Sequence, residues 1–275
     1  MKKILTCARF CVDVFVDDNG TQNSVRAGGN ALNVAVNCAN THKADVFLAG
    51  NIGADEYGGK ILEIADKHGL NRERLKVLET HGGETASNKI VLQNGERVFV
   101  PNAWNDGVLR EFRLTDDDKE FIKTMDAVAT TILDFPLADL VALRRDCDAF
   151  LLAVDFMDEK QCKFHEEWRG YCDSLDLFFI SGGDKTVPIL RQWSTEFPRV
   201  VFVATLAEHG SIAFQNGAEY TCEAVQVREV VDTTGCGDSY QGAFIVDYLC
   251  NRDIRSAMTA GAKSAAVTLS FVGAV

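Results

Sequence analysis

The residues best suited to do chemistry lie in the stretch VVDTTGCGDSYQGAF, at positions 230–244. A β-branched run enters a turn at Gly235, Cys236 and Gly237, and an apolar helical pattern follows Asp238. This order predicts a strand, a tight turn and a helix whose first backbone N–H groups have no partner within the helix. Those N–H groups and the helix dipole favour an anion, and the glycines let a bulky anion such as a phosphate approach.

Asp238 falls on the first turn of this predicted helix. The helix end keeps a carboxylate ionised there, and beside a bound phosphate it could take a proton from an attacking hydroxyl. The alternative is structural, because Asp232 or Asp238 could simply cap the helix after a glycine-rich turn. Composition alone weighs the two interpretations about equally. The usual nucleotide fingerprints, GxxxxGK[ST] and GxGxxG after a strand, do not occur in the sequence.

The elements around this turn alternate between strands and helices. One helical pattern is opened by Pro136, and another ends at Gly69. The alternation predicts an α/β fold with a doubly wound, mainly parallel sheet that is flanked by helices on both faces. The runs interpreted as strands are KILTCARF, ADVFLAG, AVATTIL, AFLLAVDF, DLFFIS, RVVFVATL and VQVREVV. The helical patterns are GGNALNVAVNCANTH, DEYGGKILEIADKHG, PLADLVALRRDCD, SYQGAFIVDYLC and the amphipathic segments around EKQCKFHEEW and TVPILRQWSTEF.

One stretch interrupts the alternation. Residues 84–104 contain two strand-like runs joined at Asn94-Gly95, a strong hairpin signal. Together with residues 11–27 they predict a small antiparallel sheet that stands off the main sheet as a lid. A second hairpin is predicted at Asn216-Gly217. The sequence shows no flexible linker, so we expect residues 1–275 to form a single domain. The apolar residues of the lid alternate on one side: Ile90, Leu92, Val98 and Val100.

Composition limits the classes of partner. The chain has 275 residues, 47% of them hydrophobic, and a formal net charge of −12, which argues against nucleic acid or an anionic membrane surface as partner. No apolar run approaches the roughly 18 residues of a membrane span, and Arg9 and Asp13 interrupt the apolar start in a way that argues against a signal peptide. Nine scattered cysteines without a CxxC pair argue against disulfides and zinc, and indicate a cytoplasmic protein.

The glycine turn resembles a known signature. DTTGCGD at 232–238 resembles the DTxGAGD motif of the ribokinase-like, PfkB-type carbohydrate kinases. Residues 28–35, GGNALNVA, are similar to the GGxxxNxA sugar-side motif of that family. Residues 50–71 resemble its GxDxxG stretch, and TLAEHGS at 205–211 resembles its TLGxxG nucleotide segment. The resemblance runs along nearly the whole chain in the right order. It implies a ribokinase-like fold, ATP-dependent phosphorylation of a sugar hydroxyl, and ATP with Mg²⁺ as cofactors; a requirement for a monovalent cation such as K⁺ stays open.

The resemblance also implies roles for single residues. Asp238 would be the base, and the N–H groups of Gly235, Cys236 and Gly237 would form an anion hole for the transferred phosphoryl group. The positions expected to contact the sugar are Asp13, Gly29, Asn30 and Asn33, and the lid residues expected to contact it are Asn88, Arg97 and Asn102. The positions expected at the nucleotide are Ser181, Asp184, Thr205, Ala207 and Gly210. For Asn33 a surface amide, and for the lid residues exposed hairpin side chains, are the structural alternatives.

Four positions differ from the family pattern or leave a role open. Cys236 stands where the family has Ala or Gly, so its thiol predicts sensitivity to oxidation. Ala207 replaces a Gly, which predicts a tighter loop. The Asn-x-x-Glu that is tied to Mg²⁺ in the family is represented only by SGGD, so Asp184 would have to replace the Glu. Asp155, at the end of a strand, either assists through a water molecule or caps a helix.

The substrate is the least determined prediction. CVDVF, GGNALNVAVNC, NGERVF, AVDFMDE and SFVGAV resemble the fructoselysine 6-kinases of bacteria within the family. This implies a fructosamine acceptor, with Glu84 or Asp106 as the carboxylate for its amine arm. The alternatives are a kinase for a plain sugar such as fructose or ribose or for a nucleoside, and a non-catalytic sugar-binding protein on a kinase scaffold. The apolar side of the lid must be covered, which predicts a homodimer through the lid.

Overall fold

The structure, a computed structural model, describes residues 1–17, 19–93, 96–159, 166–271 and 273–274. The strands in this part of the chain are β1 (Lys2–Cys7), β2 (Cys11–Val16), β3 (Gln22–Gly28), β4 (Ala44–Gly53), β5 (Asn71–Leu78), β6 (Ser87–Gln93), β7 (Glu96–Phe99), β8 (Ala127–Thr131), β9 (Leu151–Asp158), β10 (Leu177–Ser181), β11 (Val201–Thr205), β12 (Ser211–Gln215) and β13 (Ala218–Cys222). The helices are α1 (Asn30–Asn40), α2 (Glu56–Lys67), α3 (Asp116–Ile122), α4 (Leu137–Asp146), α5 (Thr186–Glu196), α6 (Cys236–Asn251) and α7 (Ile254–Thr268).

Nine strands form the large sheet, in the order β13-β12-β11-β10-β9-β8-β1-β4-β5. The strands from β11 to β5 run parallel, and the β12–β13 hairpin is antiparallel. Both faces are buried, because alternate residues of one strand enter two separate cores: Val201 and Val203 face α1, α6 and α7, whereas Phe202 and Ala204 face α4 and α5. The predicted doubly wound sheet flanked by helices is therefore confirmed.

A second, four-stranded sheet has the order β3-β2-β6-β7. Its outer pairs are antiparallel, as predicted, but β2 and β6 run parallel. The reason is the connection to the large sheet: β1 and β5 point the same way in that sheet, and β2 and β6 each follow one of them. The predicted turn at Asn94-Gly95 lies outside the described residues. The hairpin at Asn216-Gly217 is confirmed, since both residues have the positive φ that a type I′ turn requires (49° and 75°).

The predicted strand VQVREVV is wrong, because residues 225–231 form no strand. Val225 and Val230 are 42% and 56% exposed, and the segment passes along a cavity instead of extending the sheet beyond β13. The edge strand β5 escaped prediction because its sequence NRERLKVL is mostly polar and only Leu75 is buried. The helical prediction around EKQCKFHEEW falls partly outside the described residues, and Glu166–Ser174 form a 3₁₀ helix. No helix in the described ranges is long and apolar enough to cross a membrane.

Candidate active site

The turn before α6 is built around Gly235, whose φ of 73° is left-handed. A β-carbon at this position would lie 2.3 Å from Cβ of Ala274, so only glycine fits. Asp232 shapes the turn instead of capping the helix. Its Oδ1 accepts from the backbone N–H of Thr234 (2.9 Å), and its Oδ2 accepts from the N–H of Gly273 (2.9 Å). The loop and the C-terminal residues therefore hold each other in place.

The first turn of α6 opens onto a cavity of about 760 Å³ that Cys236 and Gly237 help to line. A β-carbon at Gly237 would meet no atom within 4 Å, so there is open space in front of this backbone. The N–H of Cys236 donates to the carbonyl of Thr233 (3.3 Å), whereas the N–H groups of the next two residues belong to a helix end that has no acceptors of its own. The geometry suits an anion at the start of α6.

The carboxylate of Asp238 is held by two amides of α1. Its Oδ1 accepts from Nδ2 of Asn30 (2.7 Å), and its Oδ2 accepts from Nδ2 of Asn33 (2.7 Å). Burial raises the pKa of Asp238 to about 7; the charges of Asp155 and Asp13 act in the same direction, and the two amides oppose them. A base with a pKa near neutrality can both accept a proton and release it again.

Acceptor oxygens gather in front of the glycines that precede α1. Asn33 is buried, and its Oδ1 has no hydrogen-bond partner among the residues that the structure describes. A β-carbon at Gly28 would lie 3.9 Å from that oxygen and 3.8 Å from Oδ2 of Asp13. Gly29, with φ of 89°, leaves no room for a β-carbon, which would lie 2.4 Å from the carbonyl oxygen of Arg9. The predicted sugar-side residues therefore surround one point close to Asp238.

The four-stranded sheet places three polar residues in one row. Asp13 on β2 is in register with Arg26 on β3 and with Asn88 on β6, so these residues are cross-strand neighbours on the same face. Asn88 thus lies beside Asp13, and its contact with a sugar stays a prediction. Arg26 is a neighbour in this row that no sequence motif indicated. The prediction for Arg97 concerns a side chain outside the described part of the structure. Asn102 is exposed in a turn beyond the end of β7.

A partly buried ion pair at the carboxyl ends of β1 and β8 also escaped the sequence analysis. Nε of Arg9 donates to Oδ1 of Asp134 (3.3 Å), and the Arg9 guanidinium lies 5.0 Å from the ring centre of Trp104. Burial raises the pKa of Asp134, and the charge of Arg9 opposes this. Both residues follow the carboxyl ends of neighbouring parallel strands, β1 and β8. That position was the available signal, because the carboxyl ends of a parallel sheet are where ligand sites form.

The cavity beside α6 contains most of the predicted nucleotide residues. Its lining includes four of them: Ser181, Thr205, Ala207 and Gly210. Asp184 is exposed and does not line the cavity. The acids that do are Glu208, next to Ala207, and Asp158 and Glu159 at the end of β9. None of the three was predicted at the nucleotide, although AVDFMDE contains the last two. Glu159 accepts a hydrogen bond from the hydroxyl of Thr186.

The structure bears on three further expectations, which concern Ala207, Cys236 and the carboxylates suggested for an amine arm. Ala207 has a left-handed φ of 52°, so the Gly-to-Ala departure produces a strained loop. Burial raises the pKa of Cys236 to about 11, which leaves little thiolate at neutral pH and argues against the expected sensitivity to oxidation. The two carboxylates suggested for an amine arm each accept one hydrogen bond from the chain, Glu84 from Nδ2 of Asn105 (3.0 Å) and Asp106 from the indole N–H of Trp104. Their role towards an amine arm stays a prediction.

Comparison with known proteins agrees with this geometry. The pattern of the pfkB family carbohydrate kinases matches residues 4–141 and 182–275. The fructoselysine 6-kinase of Escherichia coli (strain K12) is 28% identical over 276 residues, covering 100% of both chains. The fructosamine kinase FrlD of Bacillus subtilis (strain 168) is 25% identical over 267 residues, covering 95% of this chain and 90% of the relative.

Solved structures extend the comparison to the fold. The ribokinase of Arabidopsis thaliana, solved in complex with ribose and ATP, superposes with a TM-score of 0.80 at 17% identity, covering 99% of this chain and 93% of that one. At this identity the superposition shows that the fold is shared. The family match, by contrast, includes the glycine turn, Asp238 and the residues of α1 that hold its carboxylate. The chain therefore belongs to the pfkB family of carbohydrate kinases.

Proposed function

We propose that this protein transfers the γ-phosphoryl group of ATP to a hydroxyl of fructoselysine or a related fructosamine. The observation that carries the proposal is the position of Asp238, which lies between the open helix start at Gly237 and the acceptor oxygens above Gly28. A base at that point can reach both a bound phosphate and a bound sugar. The fructosamine assignment is supported by the two bacterial relatives that act on such compounds by name.

The transfer itself needs alignment and charge stabilisation more than covalent chemistry. A sugar hydroxyl would donate to the unpartnered Oδ1 of Asn33 or to Asp13, while Asp238 accepts the proton of the attacking hydroxyl. The hydroxyl oxygen forms a bond to the γ-phosphorus, the bond from that phosphorus to the β,γ-bridging oxygen breaks, and ADP leaves. The N–H groups at the start of α6 would stabilise the negative charge of the transferred group.

The cavity beside α6 would hold the nucleotide. Its apolar walls include Val227, Val230 and Leu269, which suit an aromatic base, and its size is typical of a small-molecule site. Mg²⁺ usually binds one or two carboxylates together with substrate phosphates. Asp158 and Glu159 are the acids of the cavity that fit this role, although the described residues include no group of three or more metal-ligating side chains. The ion would neutralise phosphate charge there.

The four-stranded sheet would act as a lid that excludes water from the reaction. Its apolar residues are covered only in part by the chain itself: Ile90 is buried, but its register partner Phe99 is 50% exposed. Val98 pairs with Val91 on the opposite face and is 39% exposed, so the predicted single apolar side of Ile90, Leu92, Val98 and Val100 is wrong. We propose that a second subunit covers the exposed side chain of Phe99 in a homodimer. We place the protein in the cytoplasm, because all eight cysteines of the described residues are free thiols, as a reducing compartment requires.

An acceptor panel with ATP tests the proposal. Fructoselysine, fructose, ribose and adenosine are offered separately, and ADP release and the phosphorylated product are measured. Fructoselysine should give the highest kcat/KM; faster turnover of fructose would overturn the substrate assignment, and no phosphorylation of any acceptor would overturn the kinase assignment. Asp238→Asn should reduce kcat at least about a hundredfold, because general base catalysis contributes roughly that much. The control is Asp45→Asn, at an exposed site near the amino end of β4 and away from the carboxyl ends of the parallel strands; it should not change kcat.

A further inference from the structure

Asp155 occupies a position that neither a water-mediated role nor a helix cap describes. It is 6% exposed, on β9, and its Oδ2 accepts from Nδ2 of Asn30 (2.9 Å). The second N–H of the same amide donates to Asp238. One amide therefore bridges two carboxylates, and its orientation is defined by both. Gln241, one helical turn after Asp238 on α6, also donates to Asp155.

The backbone around Asp155 is irregular in a way that aims this side chain. Phe179 on β10 pairs with Asp155, but Ser181 pairs with Asp158, so β9 contains one extra residue. Such bulges occur next to active sites, where they redirect a side chain. Met157 within the bulge has a left-handed φ of 65°, and its N–H donates to Oδ1 of Asp155 (2.8 Å). The Asp155 carboxylate thus stabilises a strained backbone and is fixed by it in return.

We propose that Asp155 is a positioning residue for phosphoryl transfer, which clamps the Asn30 amide so that its other N–H holds the Asp238 carboxylate towards the acceptor hydroxyl. The inference rests on the proposed function of Asp238 as the base. Asp155 does not touch the reacting atoms in this arrangement, and it acts through Asn30. The bridge joins α1, β9 and α6. A substitution at Asp155 on β9 therefore alters the surroundings of Asp238, although the sequence of α6 stays the same.

The charge of Asp155 gives the role a second signature. The carboxylates whose charges act on Asp238 are those of Asp155 and Asp13, while Asp134, which is paired with Arg9, acts on Asp155. The charge of Asp155 raises the pKa of Asp238 more than the charge of Asp13 does. Removal of the Asp155 charge should therefore lower the pH midpoint of the reaction. A residue that stabilised the fold without acting on Asp238 would leave that midpoint unchanged.

The test compares Asp155→Asn, Asn30→Ser and the double variant with the unmodified enzyme. An asparagine at 155 has a single acceptor oxygen, so it cannot serve Met157, Asn30 and Gln241 as the carboxylate does. We expect Asp155→Asn to lower kcat by about tenfold to a hundredfold, the range expected for a misplaced catalytic group, and to lower the pH midpoint of kcat/KM. In the Asn30→Ser background the same substitution should add less than about threefold, because contacting residues that act as one unit are not additive.

Two results would overturn the inference: an unchanged pH midpoint in Asp155→Asn, or losses that multiply in the double variant. Asp45→Asn is the matched control for an aspartate on a strand, and melting temperatures show whether each variant is folded. If Asp155→Asn does not fold, NMR signals of the Asn30 side-chain amide in the unmodified protein provide the test instead. Both protons of that amide should shift with pH at the midpoint of Asp238, and insensitivity to pH contradicts the bridge. If the unmodified protein phosphorylates no acceptor, that result contradicts the proposed function and not the bridge. The two failures are therefore distinguishable.

Discussion

Asn33 donates to Asp238 at 2.7 Å while its own Oδ1, on the opposite side of the amide, is buried without a partner in the described structure. The donor fixes which way the amide faces, so the oxygen is held towards Gly28 and Asp13. A buried polar atom without a partner costs about 1–3 kcal/mol. A ligand hydroxyl that donates to this oxygen would recover that free energy, which is why we propose Asn33 as a contact for the sugar.

Replacement of Asn33 by alanine should weaken sugar binding by about threefold to tenfold, the equivalent of one hydrogen bond. Isothermal titration in the presence of a non-hydrolysable ATP analogue measures the change in Kd. The matched control is Asn37→Ala, one turn further along α1, where the side chain donates to the carbonyl of Asn33 and does not contact Asp238. An equal loss of affinity in both variants would show that α1 was disturbed and that Asn33 has no direct role.

The pKa of Asp238, about 7, predicts how activity depends on pH. The base works in its ionised form, so kcat/KM should fall tenfold per unit below about pH 7 and level off above it. The contribution of Asp238 to the free energy of unfolding should change in the opposite direction as pH rises. The folded state binds the proton more tightly than the unfolded chain, so between about pH 4 and 7 this group lowers the free energy of unfolding as pH rises. Urea titrations of the unmodified protein and of Asp238→Asn isolate the effect, and parallel pH curves would contradict it.

The two glycines of the turn should respond differently to alanine. Gly237→Ala meets no atom and has an ordinary helical backbone, so stability should rise by about 0.5–1 kcal/mol. Its methyl group would stand where the phosphate is expected, so kcat should fall at least tenfold. Gly235→Ala should instead lose stability, because the new β-carbon would overlap Ala274 and the left-handed backbone costs about 1–2 kcal/mol. Urea denaturation with steady-state kinetics separates the two; full activity of Gly237→Ala excludes an anion there.

Ala207 holds a left-handed backbone in the loop after β11. Ala207→Gly should stabilise the protein by up to about 1 kcal/mol, because the relief of left-handed strain, about 1–2 kcal/mol, exceeds the extra conformational entropy that glycine gives the unfolded chain. The comparison is Gly210→Ala in the same loop, where a β-carbon would lie 2.1 Å from the carbonyl oxygen of Cys222, so this variant should be destabilised. A lower melting temperature for Ala207→Gly would show that contacts of the Ala207 methyl outweigh the strain.

The pair of Arg9 and Asp134 predicts a stability change that depends on pH. Arg9→Met removes the cation and leaves a buried carboxylate, which should cost about 3–5 kcal/mol at pH 8. Burial raises the pKa of Asp134 in the folded state, and loss of Arg9 raises it further. Asp134 then becomes protonated as pH falls, so the loss should shrink at pH 5. Chemical denaturation at both pH values measures this, with Arg9→Lys as the control that keeps the charge; a loss independent of pH contradicts the ion pair.

Much of the architecture follows from local patterns. The apolar runs and helical periodicities predict the layered sheet, because each buried strand must hide both faces and each helix one. The glycine turn and Asp238 could be assigned from residues 232–238, since a turn that leads into a helix presents its free N–H groups whatever the rest of the chain does. The prediction of a strand at residues 225–231 is wrong. Its alternating pattern is compatible with an edge strand, but the sheet ends at β13.

The site beyond that turn depends on contacts between distant residues. Asn30 lies 125 residues from Asp155 and 208 residues from Asp238 in sequence, and the three meet where α1 and α6 begin beside β9. The bulge in β9 is invisible in its apolar run, yet one extra residue decides where Asp155 points and brings Asp158 and Glu159, instead of Asp184, to the cavity. The sequence by itself determined the glycine turn before α6 and the layers around it. Only the tertiary structure decided which carboxylates face one another, because strand register is set by packing across the whole sheet.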